Sequence, residues 1–320
     1  MPRWPRLSGW LPTLGVVVLV AACGTGDDGN TSEEFAGTVD IGGGRNIYLE
    51  CAGTGTPTVV FVSGLRFGAD QWTMTADPAS TSAFDGVAEF TRVCSYDRPG
   101  VVLGGDAVSR SDPVPQPITT SDAVADLQSL LGATDAAGPG PYVLAAHSYG
   151  GQIARLFAGT HPDEVAGLVL IDAQSEELQT LLPPEQFQEF LRLNEPPQDS
   201  LDEYPDLERV DFVRSFDEIR AAEPIRPQPL VVLSADRSVA PQIAEGVANG
   251  SLPADIDPGY GPALDAVQPK AQEDLAQLVP GAKHVTNTNS GHNINIEQPQ
   301  LVVDGVRDVV DAVRDGRSEP

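Results

Sequence analysis

The sequence predicts an α/β protein built on a mostly parallel, doubly wound sheet. The runs 58–62, 142–146 and 166–171 are short and rich in apolar residues, which is typical of strands buried on both faces. Segments with apolar residues at helical spacing alternate with such runs. Strands that alternate with helices form parallel sheets, so ligands are expected at the carboxyl ends of the strands.

The other strands are indicated by alternating or β-branched patterns between turn residues. In chain order the predicted strands are 37–41, 46–51, 58–62, 91–96, 142–146, 166–171, 230–233 and 282–288. Ser121 can cap a helix in which Val124, Leu127 and Leu131 line one face. Pro299 opens the last helix, whose valines form an apolar stripe.

Residues 175–229 fit this alternation worst, because they hold helical patterns but no convincing strand. We therefore expect a helical cap insertion over the sheet. Its aromatic side chains either pack onto the main domain, which we favour, or face a substrate pocket; they are Phe187, Phe190, Phe212 and Phe216. A second irregular section, 239–268, is expected to form an additional loop over the same rim.

The length allows one large domain or two small ones, and the continuous order of elements favours one, over residues 36–315. The chain has 320 residues, of which 41% are hydrophobic, enough for a sizeable core. Its 46 acidic and 19 basic residues argue against nucleic acid as a partner, because nothing would offset phosphate repulsion. No zinc spacing, P-loop or dinucleotide fingerprint occurs in the sequence, so no metal or cofactor is predicted.

The first 23 residues are typical of a targeting segment. Arg3 and Arg6 precede the apolar run 11–20, and small residues then lead to Cys23. This end, LVAACG, resembles the lipobox of bacterial lipoproteins, which implies that Cys23 is lipidated and that residues 24–35 form a flexible tether. Several acyl chains would anchor an exported protein at the outer face of the cell membrane. The alternative is an ordinary cleaved secretory signal.

One reactive side chain lies where the hydrophobic period changes from strand to helix. The strand pattern 142–146 is followed by His147, Ser148, Tyr149 and two glycines, and then by a helical pattern. This is close to the G-x-S-x-G nucleophile elbow, a sharp turn that lifts a serine hydroxyl above the sheet edge, with Ala146 in place of the first glycine. The alternative is an ordinary turn whose serine caps the helix.

Three further segments carry a family resemblance. VVFVSGL at 59–65 is similar to a strand followed by an HG oxyanion segment, with Ser63 in place of the usual His. YDRPG at 96–100 resembles a YDRxG segment, and GHNINIEQP at 291–299 resembles GHxxxxExP. Together with the elbow, their order resembles the α/β-hydrolase family from about Thr38 to the final helix. That resemblance implies the α/β-hydrolase fold and a serine nucleophile.

A serine hydroxyl needs a base within hydrogen-bond reach. Of the four histidines, His147 is expected to point to the opposite side of its strand from Ser148, His161 lies near the far end of the elbow helix, and His284 lies inside the last strand. His292 follows the last strand in a loop that can reach the top of the sheet. We therefore predict His292 as the base.

Two aspartates compete for the acid that orients this base. The expected chain order is Ser, then Asp or Glu, then His. Asp236 lies just past the strand 230–233, which is the usual location, and Asp172 ends the preceding strand. Asp236 is favoured, with Asp172 as the alternative.

The resemblance implies roles for several more residues. The backbone N–H groups of Leu65 and Tyr149 would form the oxyanion hole. Asp97 and Arg98 are expected to support the loop beneath the site rather than to act in catalysis. In this fold the second and fourth strands are neighbours, which implies a disulfide between Cys51 and Cys94. Two buried free thiols are the alternative.

Taken together, these features predict a membrane-anchored serine hydrolase of the carboxylesterase or lipase-like type. Its substrate would be a small-molecule or lipid ester. An amide or peptide hydrolase of the same fold, and a binding lipoprotein without catalysis, are the alternatives.

Overall fold

The computed structural model describes residues 34–103 and 108–320. The predicted targeting segment, Cys23 and nearly all of the predicted tether lie outside these residues. In the part that is described, no helix is both long enough and apolar enough to cross a membrane.

A single eight-stranded sheet forms the centre of the described chain. Its spatial order is β1-β2-β4-β3-β5-β6-β7-β8, and β2 is antiparallel to both of its neighbours while the other pairs are parallel. The mostly parallel, doubly wound arrangement is therefore confirmed. The strands are β1 Phe35–Asp40, β2 Asn46–Ala52, β3 Val59–Val62, β4 Val93–Tyr96, β5 Tyr142–His147, β6 Val165–Ile171, β7 Leu230–Leu233 and β8 Lys283–Val285.

Helices cover both faces of the sheet and separate two apolar cores. Valines of the last helix pack against β6 and β7 on one face, and the elbow helix packs on the other. The helices are α1 Ala83–Ala88, α2 Thr120–Ala133, α3 Tyr149–Thr160, α4 Leu178–Leu181, α5 Pro184–Asn194, α6 Gln198–Glu203, α7 Phe212–Ala221, α8 Ala240–Asn249, α9 Tyr260–Ala276, α10 Ile294–Glu297 and α11 Pro299–Arg314.

Two local predictions need correction. The residue that caps α2 is Thr119 rather than Ser121, because Thr119 and Asp122 form a reciprocal capping box at the start of that helix. The section 239–268 is not a loop but contains α8 and most of α9, which continues through Pro269. The section is irregular in sequence, and packing of α9 onto β7 overrides that local signal.

The helices α4 to α7 lie between β6 and β7, where the cap insertion was expected. Every residue from 175 to 229 is described, and none belongs to the sheet. Four aromatic rings of this cap are buried and pack against one another, with centroid separations from 5.4 to 6.3 Å. The rings are those of Phe187, Phe190, Phe212 and Phe216. Packing is thus their main role, although Phe190 also lines the cavity described below.

A disulfide joins two neighbouring strands, as the resemblance implied. Cys51 and Cys94 face each other in the register of β2 and β4, and their sulfurs are bonded. The bond closes a loop across a sequence separation of 43 residues. A cross-link of this span stabilises a protein by about 4 kcal/mol, by limiting the conformations of the unfolded chain.

Candidate active site

Ser148 lies on a sharp turn between β5 and α3. Its backbone has φ 52° and ψ −121°, a conformation that residues other than glycine rarely adopt. The turn also needs the two glycines that follow. A Cβ on Gly150 would lie 2.2 Å from the carbonyl oxygen of Val62, and a Cβ on Gly151 would lie 2.3 Å from the Cβ of Ala173.

The side chain of Ser148 makes no capping hydrogen bond to α3. The alternative interpretation, an ordinary helix-capping serine, therefore fails. Ser148 lines a cavity of about 470 Å³ together with Asp172 and His292. The cap and α9 contribute apolar side chains to its lining, among them Leu178, Phe190, Tyr260 and Leu264.

His292 is paired with a buried carboxylate. Its Nδ1 lies 2.6 Å from Oδ2 of Asp172, a residue that is 3% exposed at the end of β6. The backbone N–H of Ala235 donates to the other carboxylate oxygen at 3.0 Å. Burial by itself would raise the pKa of Asp172, but the hydrogen bonds from His292 and Ala235 outweigh burial and hold that pKa below its usual value.

The preference for Asp236 as the partner of His292 is therefore wrong. Its carboxylate accepts the backbone N–H groups of Asn289 and Ser290, at 3.0 and 2.9 Å, in the loop that leads to His292. The reason is backbone geometry. Asp172 has φ 39° and its N–H is bonded to the carbonyl of Leu233, so its side chain turns over the sheet edge toward the imidazole.

Two backbone N–H groups near Ser148 are left without acceptors. Within residues 34–103 and 108–320, none is found for the N–H of Leu65 or of Tyr149. The N–H groups on both sides of Leu65 are occupied: that of Gly64 donates to Oε1 of Gln71 at 2.9 Å, and that of Arg66 donates to Glu208. The Leu65 N–H thus differs from its neighbours in being free to bind an anion.

His147 has a role that the sequence analysis missed. Its side chain is buried beneath the elbow, with Nε2 2.9 Å from the backbone oxygen of His292 and Nδ1 2.9 Å from Nε2 of Gln71. Burial, together with the nearby ring of His292, lowers the pKa of His147 to about 3. The neutral ring can accept a hydrogen bond from the Gln71 amide and donate one to the His292 carbonyl. The second bond holds the backbone of the His292 loop against the elbow. Motif spacing gives no signal for this contact, because His147 and His292 are 145 positions apart.

Backbone strain is concentrated in the segments that form the site. In the described chain, the non-glycine residues with positive φ are Arg66, Ser148, Asp172 and Asn289. They belong to the oxyanion segment, the elbow, the end of β6 and the loop before His292. Strained residues of this kind cluster where the surrounding structure holds functional groups in fixed positions. Among the same residues, no group of three or more His, Cys, Asp or Glu side chains is placed to hold a metal ion.

Comparison with known proteins agrees with this architecture. The model of the alpha/beta hydrolase family matches residues 59–305, which is more than half of the chain. The chain therefore belongs to the alpha/beta hydrolase family.

Curated relatives match over shorter stretches. An uncharacterised protein of Schizosaccharomyces pombe is 30% identical over 161 residues, which cover 44% of this chain and 28% of that protein. The uncharacterised protein YqjL of Bacillus subtilis is 30% identical over 120 residues, which cover 38% of this chain and 41% of YqjL. The chain thus spans less than half the length of either relative.

Solved structures share the fold at low sequence identity. A thermophilic esterase from Thermogutta terrifontis matches with a TM-score of 0.54 at 20% identity, covering 88% of this chain and 99% of the esterase. An enol-lactonase from Burkholderia xenovorans matches with a TM-score of 0.53 at 17% identity, covering 86% of this chain and 99% of the lactonase. The carboxylesterase CesB from Bacillus subtilis matches with a TM-score of 0.53 at 15% identity, covering 87% of this chain and 91% of CesB.

Proposed function

We propose that this protein is a serine hydrolase that cleaves carboxylic esters through an acyl-enzyme on Ser148. The observation that carries the proposal is the pairing of His292 with buried Asp172 in the same cavity as Ser148, whose backbone is strained and whose hydroxyl does not cap α3. Nucleophile, base and orienting acid are the three parts that such chemistry needs.

The steps follow from the positions of these groups. His292 takes the proton of Ser148 as the hydroxyl attacks the ester carbonyl, and Asp172 stabilises the imidazolium that forms. The lowered pKa of Asp172 keeps it ionised at neutral pH. The free N–H groups of Leu65 and Tyr149 would bind the oxyanion, after which His292 protonates the leaving alcohol. Water, activated by His292, then releases the acid from Ser148.

The lining of the cavity favours esters with uncharged acyl groups. Its walls are largely apolar, and Arg237, a cation at the cavity, is bonded to Glu297 at 2.8 Å and to the carbonyl of Asn289. A net charge of −27 disfavours anions further. Amide and peptide hydrolysis by the same residues is the second candidate, because the machinery is common to both.

Labelling and turnover test this proposal. The purified protein should react with a fluorophosphonate probe and hydrolyse p-nitrophenyl butyrate faster than aminoacyl p-nitroanilides. Ser148→Ala should lose labelling and about 10⁵-fold or more in kcat, because loss of the nucleophile leaves only residual catalysis. Absence of labelling and of turnover in the intact protein would favour a binding protein, and faster amide cleavage would favour the second candidate.

We also propose that the protein is exported and anchored through lipidated Cys23. The charged start, the apolar run and the LVAACG sequence support the proposal. So does the disulfide between Cys51 and Cys94, since such bonds persist in oxidising compartments. Cys23→Ala should release the protein from the membrane fraction of a bacterial host, whereas an ordinary secretory signal would leave its distribution unchanged.

A further inference from the structure

A buried ion pair links the cap to the segment that carries the Leu65 N–H. Arg98 follows β4 and Glu208 lies between α6 and α7, and their side chains are 1% and 0% exposed. Nε of Arg98 lies 2.6 Å from Oε1 of Glu208, and Nη2 lies 3.1 Å from Oε2. The guanidinium and the carboxylate therefore meet at two points, a geometry that fixes both planes.

The remaining donors of Arg98 hold the oxyanion segment itself. Nη1 donates to the carbonyl of Ser63 at 2.8 Å, and Nη2 donates to the carbonyl of Gly64 at 2.6 Å. The Gly64 carbonyl and the Leu65 N–H belong to one planar peptide unit, so fixing the oxygen also fixes the direction of the N–H. A cation at the carbonyl oxygen also polarises the amide, which strengthens its N–H as a donor.

Glu208 contacts the far side of the same segment as well. Its Oε2 accepts the backbone N–H of Arg66 at 2.5 Å, and its own carbonyl accepts from Nε of Arg66 at 3.3 Å. The guanidinium of Arg66 also donates to the carbonyl of Asn194, at the end of α5 in the cap. The peptide that carries the Leu65 N–H is thus held between Arg98 beneath it and the cap beside it.

We propose that Glu208 is a positioning residue for the oxyanion hole, acting through Arg98 and the Gly64–Leu65 peptide. The inference rests on the proposed hydrolase function and extends it: the cap does more than shape the cavity, because its carboxylate is part of the support of an oxyanion donor. Catalytic competence then requires a docked cap.

The chain offers a matched control for this pair. Arg155 on α3 and Glu176 at the base of the cap form a second buried ion pair, with contacts at 2.5 and 2.8 Å, and their side chains are 6% and 11% exposed. Within the described chain, neither side chain makes a hydrogen bond or an ion pair with residues 63–66. Glu208→Gln and Glu176→Gln each remove one buried carboxylate charge from the cap, but Glu208→Gln alone disturbs the oxyanion segment.

The experiment compares kcat, KM and two inhibitors in these variants. Butylthio-trifluoroacetone is attacked by Ser148 and forms an oxyanion, whereas the secondary alcohol made by reducing its carbonyl binds without forming one. Glu208→Gln should lower kcat for p-nitrophenyl butyrate by about 10²-fold, as for loss of one oxyanion donor, with KM little changed. The ketone should lose affinity by a similar factor, and the alcohol should not.

Glu176→Gln should keep kcat and both affinities near those of the unaltered protein. Glu208→Asp, which retains both acceptor oxygens on a shorter arm, should recover part of kcat. If Glu208→Gln does not fold, Arg98→Lys replaces it, because lysine keeps the charge but cannot hold Glu208 and both carbonyls together. The same loss of kcat and ketone affinity is expected.

Three results would overturn the inference: unchanged kcat in Glu208→Gln and Arg98→Lys, equal losses of ketone and alcohol affinity, or equal effects of Glu208→Gln and Glu176→Gln. Failure of the underlying function is separate. It would show as absence of turnover and of fluorophosphonate labelling in the unaltered protein.

Discussion

Asp172 and Asp236 follow neighbouring parallel strands and hold the same loop by different groups. Asp172 holds the imidazole of His292, whereas Asp236 holds the backbone N–H groups of Asn289 and Ser290. Only the first contact touches an atom that changes charge in the proposed reaction. Two carboxylates at the same edge of the sheet can therefore have very different consequences for catalysis and similar consequences for the order of the loop.

Among the residues that support His292, the largest effect is expected for Asp172, whose carboxylate contacts the imidazole ring. Asp172→Asn should lower kcat for p-nitrophenyl butyrate by about 10³- to 10⁴-fold, because an amide favours the wrong imidazole tautomer and cannot stabilise the imidazolium. KM should change little, since the carboxylate does not bind the ground-state ester. Steady-state kinetics and the rate of fluorophosphonate labelling measure the effect. A variant with more than a tenth of the original kcat would remove Asp172 from the mechanism.

The next effect concerns His147, which supports the same loop through the carbonyl of His292. The pKa of His147 is about 3 in the folded protein, below its ordinary value, so below neutral pH the unfolded chain binds a proton that the folded protein does not. The contribution of His147 to stability is therefore fully present above the pKa of the unfolded state, and it is lost as the pH decreases toward the pKa of the folded state. When the pH is lowered from 8 to 5, this residue should reduce the free energy of unfolding by about 2 kcal/mol.

Urea unfolding of the unaltered protein and of His147→Gln at both pH values measures this contribution. His284 and all carboxylates are common to the two proteins, so the difference between their pH dependences isolates residue 147. The unaltered protein should lose more stability on acidification than the variant. Parallel pH dependences would mean that His147 takes up a proton without leaving its place beneath the elbow.

The sequence predicts the sheet, Ser148 and the loop of His292 because these depend on local patterns. A strand run, two small residues and a change of period suffice to place Ser148 on a turn. The disulfide follows from strand order, since Cys51 and Cys94 lie on strands that the fold makes neighbours. Hydrophobic period and chain order indicate the strands and the turn at Ser148, whereas the strand order behind the disulfide comes from the resemblance to a known fold.

The choice between the two aspartates depends on something else. Asp172 has a positive φ and a bond to the β7 backbone, and neither can be deduced from the position of a residue after a strand. The contacts of His147 and Glu208 are equally hidden, because their partners lie far away in sequence and Glu208 belongs to no motif. Long-range packing decides these positions, and a single sequence does not display it.

The smallest effect completes the comparison of the two aspartates. Asp236→Asn leaves one oxygen to accept from the 289–290 backbone and loses the other acceptor, at a cost of about 1 kcal/mol in stability. Because the His292 ring keeps its bond to Asp172, kcat should fall by less than about tenfold, a change worth less than 1.4 kcal/mol in the transition state. Urea unfolding and kinetics on p-nitrophenyl butyrate measure both quantities, with Asp172→Asn assayed alongside. A larger loss of kcat in Asp236→Asn than in Asp172→Asn would reverse the assignment, and would mean that the loop turns His292 toward Asp236 during catalysis.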